Sequence, residues 1–257
     1  DGLILPFLVG AWWARTRERD GLVGLLLVVA TAMKFYPALL LPFLWRPQHP
    51  KGRWQMTLAF LATVTAFYFP YVLTSGTSVV GFLPRYFREQ FNLSPLVAIL
   101  KDFTSWLGII SSNRITFLTL SVIFILACWA IIKPAPDAKT AIRRCILPIG
   151  AITLLSQNLF PWYMLWLLPL IAIFWKPPAR RFGVFALPRL DAWTGWWLFC
   201  GLVALSYTFF IRWKTVASAI LFEFIPLYMF LFIHAVTHLW KKFSIGLEPA
   251  SIRQTPN

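Results

Sequence analysis

The stretch Gly21–Trp45 constrains this chain more than any other part of it. It is apolar enough to enter a lipid bilayer, yet Lys34 stands at its centre and Pro37 follows three residues later. An ionisable side chain at that depth normally faces a protein interior or a water-filled cavity, and it is a candidate for a functional site. Arginine and lysine are enriched on both sides of the stretch, as is typical of short cytoplasmic loops.

Two cytoplasmic flanks are incompatible with a single crossing of the membrane. The sequence therefore predicts a hairpin of two half-length helices that turns near Met33–Pro37. Pro37 cannot donate a hydrogen bond within a helix, and it disfavours helical geometry at Tyr36. Irregular backbone at membrane depth is tolerated only where protein or a water-filled cavity surrounds it. This interpretation places Lys34 in a site.

Composition predicts an all-α polytopic membrane protein. Of the 257 residues, 59% are hydrophobic and only 13% are charged, whereas a soluble domain has about 25% charged residues. The formal charge of +15 could indicate nucleic-acid binding, but the basic residues form short blocks between apolar segments, so no nucleic-acid partner is predicted. Cys128, Cys145 and Cys200 are isolated within apolar segments and have neither disulfide nor metal-ligand spacing.

A second apolar run, Cys145–Trp175, repeats the pattern, because basic residues again flank both ends. Its centre, Ser156–Tyr163, is polar and contains a proline, which predicts a second re-entrant hairpin whose apex meets an external cavity. The segment Val79–Asn113 is expected to lie on the external surface. Together these features predict one transmembrane helical domain over residues 1–245, incomplete at its N-terminus, and a cytoplasmic tail over 246–257. Further helices are predicted over Leu3–Ala14, Trp54–Leu73, Ile115–Ile132, Ala192–Ile211 and Val216–Trp240.

Cationic side chains on the external side are candidates for binding a phosphate or diphosphate lipid headgroup. Lys34 is the first candidate, although its side chain could instead extend to an interface. Arg85 and Arg88 lie at helical spacing on an amphipathic segment, where simple headgroup contact is the alternative. Asn92 is either a polar group on the substrate side or only the end of a helix.

Further candidates lie later in the chain. Gln157 and Asn158 could contact substrate or could tie helices together by hydrogen bonds. Trp162 and Tyr163 could form a platform for a sugar or could simply pack. Glu223 is the best carboxylate within an apolar segment, and pairing with Arg212 or Lys214 is its simpler role. In a sugar transfer from a lipid phosphate, cations stabilise the leaving anion while a carboxylate takes the proton of the acceptor hydroxyl.

Three motifs resemble one known family. The core Met33–Pro37, within Gly24–Pro42, is similar to the lysine, aromatic, tyrosine, proline segment of glycosyltransferase family 87 and of the related glycosylphosphatidylinositol mannosyltransferases. Glu89–Asn92 and Pro161–Pro169 resemble two further segments of the first family. The resemblance covers most of residues 1–240 and implies the helix bundle of the C-type polytopic transferases, which use polyprenyl phosphate sugars, commonly mannose. The residues that match its motifs are Lys34, Tyr36, Asn92, Trp162 and Tyr163.

One feature of that superfamily is missing from this sequence. Its members carry a catalytic acidic residue in the first external loop near the N-terminus, and this chain has no such loop. We therefore expect the acidic base to lie upstream of residue 1, and we expect the isolated chain to be inactive.

The expected function is an inverting hexosyltransferase in a bacterial plasma membrane. It would move a hexose, commonly mannose, from a polyprenyl phosphate donor to a lipid or glycan acceptor on the non-cytoplasmic face. Its partners would be that donor, that acceptor and membrane lipids. No cofactor is expected, and a divalent cation is not indicated by any motif. A transporter or flippase of lipid-linked sugars is one alternative, and a non-catalytic membrane scaffold is the other.

Overall fold

The computed structural model describes residues 2–46, 49–81, 94–106, 112–176, 180–182, 185–187, 189–207 and 217–246, which are mainly helical, as the sequence predicts. Several helices begin with a proline in the first turn, where the missing N–H has no intrahelical partner to lose. The α-helices are α1 (Ile4–Thr16), α2 (Asp20–Met33), α3 (Leu41–Leu44), α4 (Pro50–Ser75), α5 (Pro95–Trp106), α6 (Ser112–Ile132), α7 (Ala138–Arg144), α8 (Ile146–Leu154), α9 (Leu168–Phe174), α10 (Ala192–Leu202) and α11 (Ala217–Gly246).

Short 3₁₀-helices interrupt or extend several of these elements. Two of them follow a break in an apolar segment, and the other two continue directly from the end of an α-helix, where the chain tightens. Their bounds are Tyr36–Leu40, Gly76–Val80, Pro161–Trp166 and Val203–Tyr207.

Two of the described helices are long and apolar enough to cross a membrane. They are α4 and, within α11, the part Ala219–Trp240, with mean hydropathies of 1.6 and 2.0. Only 11% and 28% of these two segments is buried inside the protein. Their large side chains therefore face outward, as Phe69 on α4 and Phe232 on α11 do with exposures of 54% and 70%. Water would solvate such surfaces poorly, so their length and composition suit a lipid environment.

The two ends of the first broken segment lie side by side, so the chain reverses direction between α2 and α3. Arg46, which follows α3, places its Nη2 atom 2.8 Å from Asp20 Oδ2 at the start of α2. Its Nη1 atom lies 2.6 Å from Glu18 Oε2. Arg15 of α1 donates from Nε to the carbonyl oxygen of Leu44 at 2.7 Å. We call Arg15, Glu18, Asp20 and Arg46 the base cluster.

Burial differs within the base cluster. Asp20 and Arg46 are buried, whereas the Glu18 side chain is 67% exposed. The hydrogen bond from Arg46 lowers the pKa of Glu18 below its ordinary value. Burial alone would lower the pKa of Arg46, but its hydrogen bonds to the two carboxylates raise it overall. Glu18 also adopts a φ of 58° in the turn between α1 and α2, a conformation that costs a non-glycine residue about 1–2 kcal/mol.

The second broken segment also doubles back. Helix α8 ends at Leu154, the 3₁₀-helix Pro161–Trp166 follows the break, and α9 returns to contact α7, the helix just before α8. The start of α7 is capped by Asp137, whose carboxylate accepts hydrogen bonds from Thr140 N at 2.8 Å and Thr140 Oγ1 at 2.7 Å. These bonds lower the pKa of Asp137.

Two parts of the chain differ from the sequence-based expectation. The helix predicted over Ala192–Ile211 ends as an α-helix at Leu202 and tightens into the 3₁₀-helix Val203–Tyr207. Ser206 fits that tighter spacing, because its hydroxyl donates to the carbonyl three residues earlier at 2.7 Å. A short antiparallel pair also interrupts the helices, with strand β1 (Arg180–Phe182) paired to strand β2 (Phe185–Leu187).

The core is one apolar cluster that includes residues of both hairpins. Leu27 of α2, Leu40 after the first break and Leu167 after the second are all fully buried. Helix α4 packs against α2 so closely that a Cβ atom added to Gly24 would collide with the carbonyl oxygen of Met56. The outcome is that the two breaks face each other inside the protein.

Candidate functional site

The first break lies at Lys34, where the helical backbone of α2 stops. Lys34 adopts an extended conformation, with φ −156° and ψ 141°, and its N–H still donates to the carbonyl of Ala30 at 3.1 Å. Pro37 then occupies the second position of the 3₁₀-helix Tyr36–Leu40, where the missing N–H costs nothing. The predicted turn at Met33–Pro37 is therefore confirmed at the level of the backbone. It places a lysine and a tyrosine together at the end of a helix.

The two breaks meet in a stack of three aromatic rings. The Trp166 ring lies 4.0 Å from the Tyr36 ring, at an interplanar angle of 19°, and 4.5 Å from the Tyr163 ring, at 14°. The Lys34 ammonium nitrogen stands 4.0 Å from the centroid of Tyr163 and 5.2 Å from that of Trp166. Such contacts contribute about 0.5–2 kcal/mol each, more where water is excluded. The rings therefore favour a cationic lysine at this position.

A cavity of about 510 Å³ opens beside the stack. One wall comes from α6, whose lining residues Thr116, Thr119, Leu120 and Ile123 follow helical spacing on one face. The two breaks supply the other walls. The lining is mostly apolar, with polar groups near Lys34, at the second break and on α6. Volumes of about 300–1,000 Å³ with few polar groups are typical of small-molecule sites.

The second break brings amide side chains to this cavity. Gln157 and Asn158 both line it and both are buried. The Gln157 amide nitrogen donates to Thr116 Oγ1 at 3.1 Å, and the Asn158 backbone N–H donates to Ser156 Oγ at 3.0 Å. A neutral amide can both donate to and accept from a hydroxyl group. The cavity thus combines one cation with groups suited to hydroxyl-rich ligands.

Two polar atoms of the aromatic stack are buried without a hydrogen-bond partner among the described residues. They are the Tyr36 hydroxyl oxygen and the Trp166 indole nitrogen. A buried donor left unsatisfied costs about 1–3 kcal/mol. A bound phosphate or hydroxyl group that reached either atom would recover part of that cost.

Four of the sequence-predicted site residues come together at this cavity: Lys34, Tyr36, Asn158 and Tyr163. Trp162 does not line it. The indole of Trp162 stacks instead on Phe160, with centroids 4.5 Å apart and an interplanar angle of 8°, and it remains 38% exposed. Adjacent residues of the 3₁₀-helix therefore point in different directions, and the rings of Trp162 and Tyr163 lie at an interplanar angle of 83°.

Glu223 also lies away from the cavity lining. It is fully buried on α11, next to Phe224, whose ring packs 4.9 Å from that of Phe199. Its predicted pairing with Arg212 or Lys214 concerns positions outside the described residues. Arg85, Arg88 and Asn92 also lie outside the described residues, so their predicted contacts with substrate stay predictions.

Sequence reasoning missed two residues of the site, Trp166 and Thr116. Trp166 is central to the stack, and its position three residues after Tyr163 could have indicated a shared face. For Gln157 the sequence leaves the structural and the substrate-binding interpretations open, and the side chain both lines the cavity and bonds to another helix. No sequence signal pointed to Thr116 as its partner.

No group of three or more His, Cys, Asp and Glu side chains that could hold a metal ion occurs in the part of the chain that the structure describes. The prediction that no cofactor is needed stays untested by that observation. Comparison of the chain with models of protein families, with curated proteins and with solved structures finds no match.

Proposed function

We propose that this protein is an inverting membrane glycosyltransferase that moves a hexose, with mannose the first candidate, from a polyprenyl phosphate donor to a lipid or glycan acceptor. One observation carries the proposal. The Lys34 ammonium lies over the rings of Tyr163 and Trp166, in a mostly apolar cavity where two broken helical segments meet. An ammonium beside apolar walls suits a ligand that joins a phosphate to a hydrocarbon chain.

Two features support a membrane location: the exposed apolar side chains of α4 and α11, and the arrangement of the hairpins. Helices α4 and α11 expose large apolar side chains along their length. The base cluster holds the two ends of the first hairpin together, away from the turn. It contains Arg15 and Arg46, and the sequence predicts that this end lies on the cytoplasmic side. The cavity lies at the opposite end of that hairpin. A polytopic bundle with two re-entrant hairpins in a plasma membrane would therefore direct the cavity toward the non-cytoplasmic face.

The proposed chemistry uses Lys34 to stabilise the leaving group. The acceptor hydroxyl oxygen forms a bond to the anomeric carbon, the bond between that carbon and the phosphate oxygen breaks, and the polyprenyl phosphate leaves with the electron pair. A fixed cation near the departing oxygen lowers the barrier as negative charge develops there. The proton of the acceptor hydroxyl passes to a general base, which we do not assign, because the described lining contains no acidic side chain.

The other lining groups fit binding of the donor. Amides of Gln157 and Asn158 can exchange hydrogen bonds with sugar hydroxyls. Leu120 and Ile123 of α6 offer an apolar surface for the first isoprene units of the lipid, and burial of that apolar area stabilises the complex by about 25 cal/mol per Å². This division places the phosphate near Lys34, between a polar wall for the sugar and an apolar wall for the lipid.

The decisive experiment is the substitution Lys34→Met, which keeps the length of the side chain and removes its charge. In the full-length protein, transfer of radiolabelled mannose from polyprenyl phosphate mannose to membrane lipid acceptors should fall about 100-fold or more, as when one transition-state donor is removed. Lys133→Met is the matched control, because Lys133 is a lysine outside the cavity lining.

Two results would contradict the proposal. The first is unchanged transfer in the Lys34→Met protein at equal expression. The second is a parent protein that moves lipid-linked sugar across vesicle membranes in a manner dependent on Lys34 but transfers no sugar. That second result would favour the transporter instead, since a transporter needs the cavity and not a bond-forming step.

A further inference from the structure

A chain of hydrogen bonds links α5 and α11 to the second break. The Leu96 N–H lies 3.4 Å from the Tyr228 hydroxyl oxygen, that oxygen lies 3.2 Å from Ser94 Oγ, and Ser94 Oγ lies 2.6 Å from the carbonyl oxygen of Leu154. Ser94 is fully buried. We call this chain the hydroxyl relay. It joins residues that are as many as 134 positions apart in the sequence.

The direction of the relay follows from counting protons. A hydroxyl group has one proton to donate and can accept further hydrogen bonds. Ser94 donates its one hydroxyl proton to the Leu154 carbonyl oxygen, which can only accept. The hydrogen bond between Tyr228 and Ser94 must therefore be donated by Tyr228. Tyr228 then accepts from Leu96 N–H. All donors in the relay therefore point from α5 toward the end of α8, and hydrogen bonds aligned in this way strengthen one another.

The relay satisfies backbone groups that helix ends leave without partners. Leu96 belongs to the first turn of α5, whose N–H groups have no intrahelical acceptor, and Leu154 is the last residue of α8, whose carbonyl has no intrahelical donor. Ser94 lies just before α5 and its own carbonyl accepts from Ala98 N–H at 2.9 Å. The Ser94 side chain could have capped its own helix, but it donates to α8 instead.

The two carbonyls that follow Leu154 are also bonded from outside the segment. Leu155 accepts from Thr119 Oγ1 at 3.3 Å, and Ser156 accepts from the backbone N–H of Ser94 at 3.4 Å. Three consecutive carbonyls are thus fixed by two other parts of the chain. The next two residues are Gln157 and Asn158, which line the cavity.

We propose that Ser94 and Tyr228 are positioning residues, which act through the backbone of the second break to set how Gln157 and Asn158 face the sugar of the donor. Neither residue lines the cavity. Their effect is therefore on binding geometry rather than on the reacting atoms. The assignment of the sugar as ligand rests on the proposed function, whereas the control of the break by the relay does not.

The test compares variants that remove one hydroxyl each. Ser94→Ala leaves the Leu154 carbonyl without its donor, and Tyr228→Phe leaves Leu96 N–H without its acceptor while the ring can still pack beside Phe224, 5.8 Å away. Ser94→Thr keeps the hydroxyl and serves as the conservative rescue. Tyr71→Phe is the matched control, because Tyr71 is an exposed tyrosine on α4.

Two readouts on the full-length protein, purified in lipid nanodiscs, separate positioning from simple loss of structure. The first is amide hydrogen exchange, without substrate, in peptides that cover residues 95–98 and 154–160. The second is mannose transfer from polyprenyl phosphate mannose, analysed for KM and kcat of the donor. Loss of one buried hydrogen bond corresponds to a change of about fivefold.

The proposal expects exchange in 154–160 to be about fivefold faster in Ser94→Ala, and the donor KM to rise by a similar factor, with kcat within about twofold of the parent. Tyr228→Phe should show the faster exchange first in 95–98 and then, more weakly, in 154–160. Ser94→Thr and Tyr71→Phe should match the parent.

Three outcomes would overturn the proposal. Unchanged exchange in 154–160 in both hydroxyl deletions would mean that the relay does not control the break. Faster exchange with an unchanged donor KM would mean that the break does not position the sugar-binding groups. Faster exchange over the whole protein, with a lower kcat, would indicate a purely structural role. Failure of the proposed function shows separately, as unchanged transfer in Lys34→Met.

Discussion

The two broken hairpins of this protein are held together in opposite ways. In the first hairpin, charged groups hold the two ends of the chain together away from the turn, where Arg46 contacts Asp20 and Glu18. The second is held at its break by neutral hydrogen bonds, through the Ser94 and Tyr228 hydroxyls. The charged contacts lie where solvent reaches one of the partners, since the Glu18 side chain is 67% exposed. The hydrogen bonds of the second hairpin are made by neutral groups inside the protein, where the free-energy cost of burying a charge would be far larger.

This difference leaves one charge near the meeting point of the hairpins among the described cavity residues, that of Lys34. Its surroundings there are aromatic faces, with Tyr163 at 4.0 Å and Trp166 at 5.2 Å. Ring faces attract a cation without neutralising it. The proposed reaction requires that a ligand phosphate reach this ammonium.

The largest effect is expected from removing the buried carboxylate of the base cluster, which tests whether a buried ion pair stabilises the first hairpin. Asp20→Ala leaves the Arg46 guanidinium buried and deprived of its buried partner, a change that costs about 3–5 kcal/mol in other proteins. We expect the largest fall in the midpoint of thermal unfolding for this variant, measured in detergent micelles. Glu18→Gln is the matched control, since it removes an exposed partner of the same arginine and should lower the midpoint much less.

Equal losses in the two variants would mean that burial does not set the strength of these pairs. The same result would remove the basis for treating the first hairpin as one closed by a buried ion pair.

A second comparison uses glycines at the packed faces of the two hairpins. A Cβ atom at Gly24 would meet the backbone carbonyl of Met56, whereas at Gly150 in the second hairpin it would meet the side chain of Trp196 at 3.0 Å. A backbone cannot move as easily as a ring, so Gly24→Ala should cost about 1–3 kcal/mol and Gly150→Ala less.

Gly21 provides the control for that series, because nothing lies within 4 Å of a Cβ atom added there and it belongs to the same helix as Gly24. Gly21→Ala should be neutral or stabilising by up to about 1 kcal/mol, from helix propensity alone. Thermal unfolding of the three variants gives the order. If Gly24→Ala unfolds at the parent temperature, α2 and α4 are not in close contact.

The smallest expected effect is the response to acid. The folded-state pKa of Glu18 is lowered by its hydrogen bond from Arg46, and that of Asp137, at the base of the second hairpin, by hydrogen bonds from Thr140. A lowered pKa contributes stability that is complete above the ordinary value, 4.5 for Glu18, and is lost as the pH falls through the folded-state value. Both hairpins should therefore lose stability in acid.

The measurement is the midpoint of thermal unfolding from pH 6 down to about pH 3. Glu18→Gln should flatten part of the acid slope, and Asp137→Asn should flatten a different part. Each variant keeps the shape of its side chain and removes only its titration. A slope identical to that of the parent in both variants would show that neither ionic contact is formed in solution.

The sequence located the breaks themselves. Pro37 lacks an N–H and disfavours helical backbone geometry at Tyr36. The polar run that starts at Ser156 does not continue the apolar pattern of the preceding helix. Those are local properties of the chain, so they could be predicted without knowing any partner. The same reasoning placed Lys34, Tyr36, Asn158 and Tyr163 near breaks, and these four residues do line one cavity.

Trp162 does not line that cavity, for a related reason. It was grouped with Tyr163 because they are adjacent in the sequence, but neighbours in a helix or a turn point in different directions. Trp162 stacks on Phe160, and Trp166, three positions beyond Tyr163, takes the place in the ring stack. Spacing was a better guide than adjacency.

The sequence by itself determined the apolar segments, the points where they break and the charge at their ends, because proline chemistry, hydrophobicity and charge act over a few residues. Only the tertiary structure decided that Tyr36 meets Trp166, that Tyr228 meets Ser94 and that Arg46 returns to Asp20. These pairs are 26 to 134 positions apart. Which of many similar aromatic, hydroxyl and charged groups find one another depends on how the hairpins pack together, and no local pattern encodes that choice.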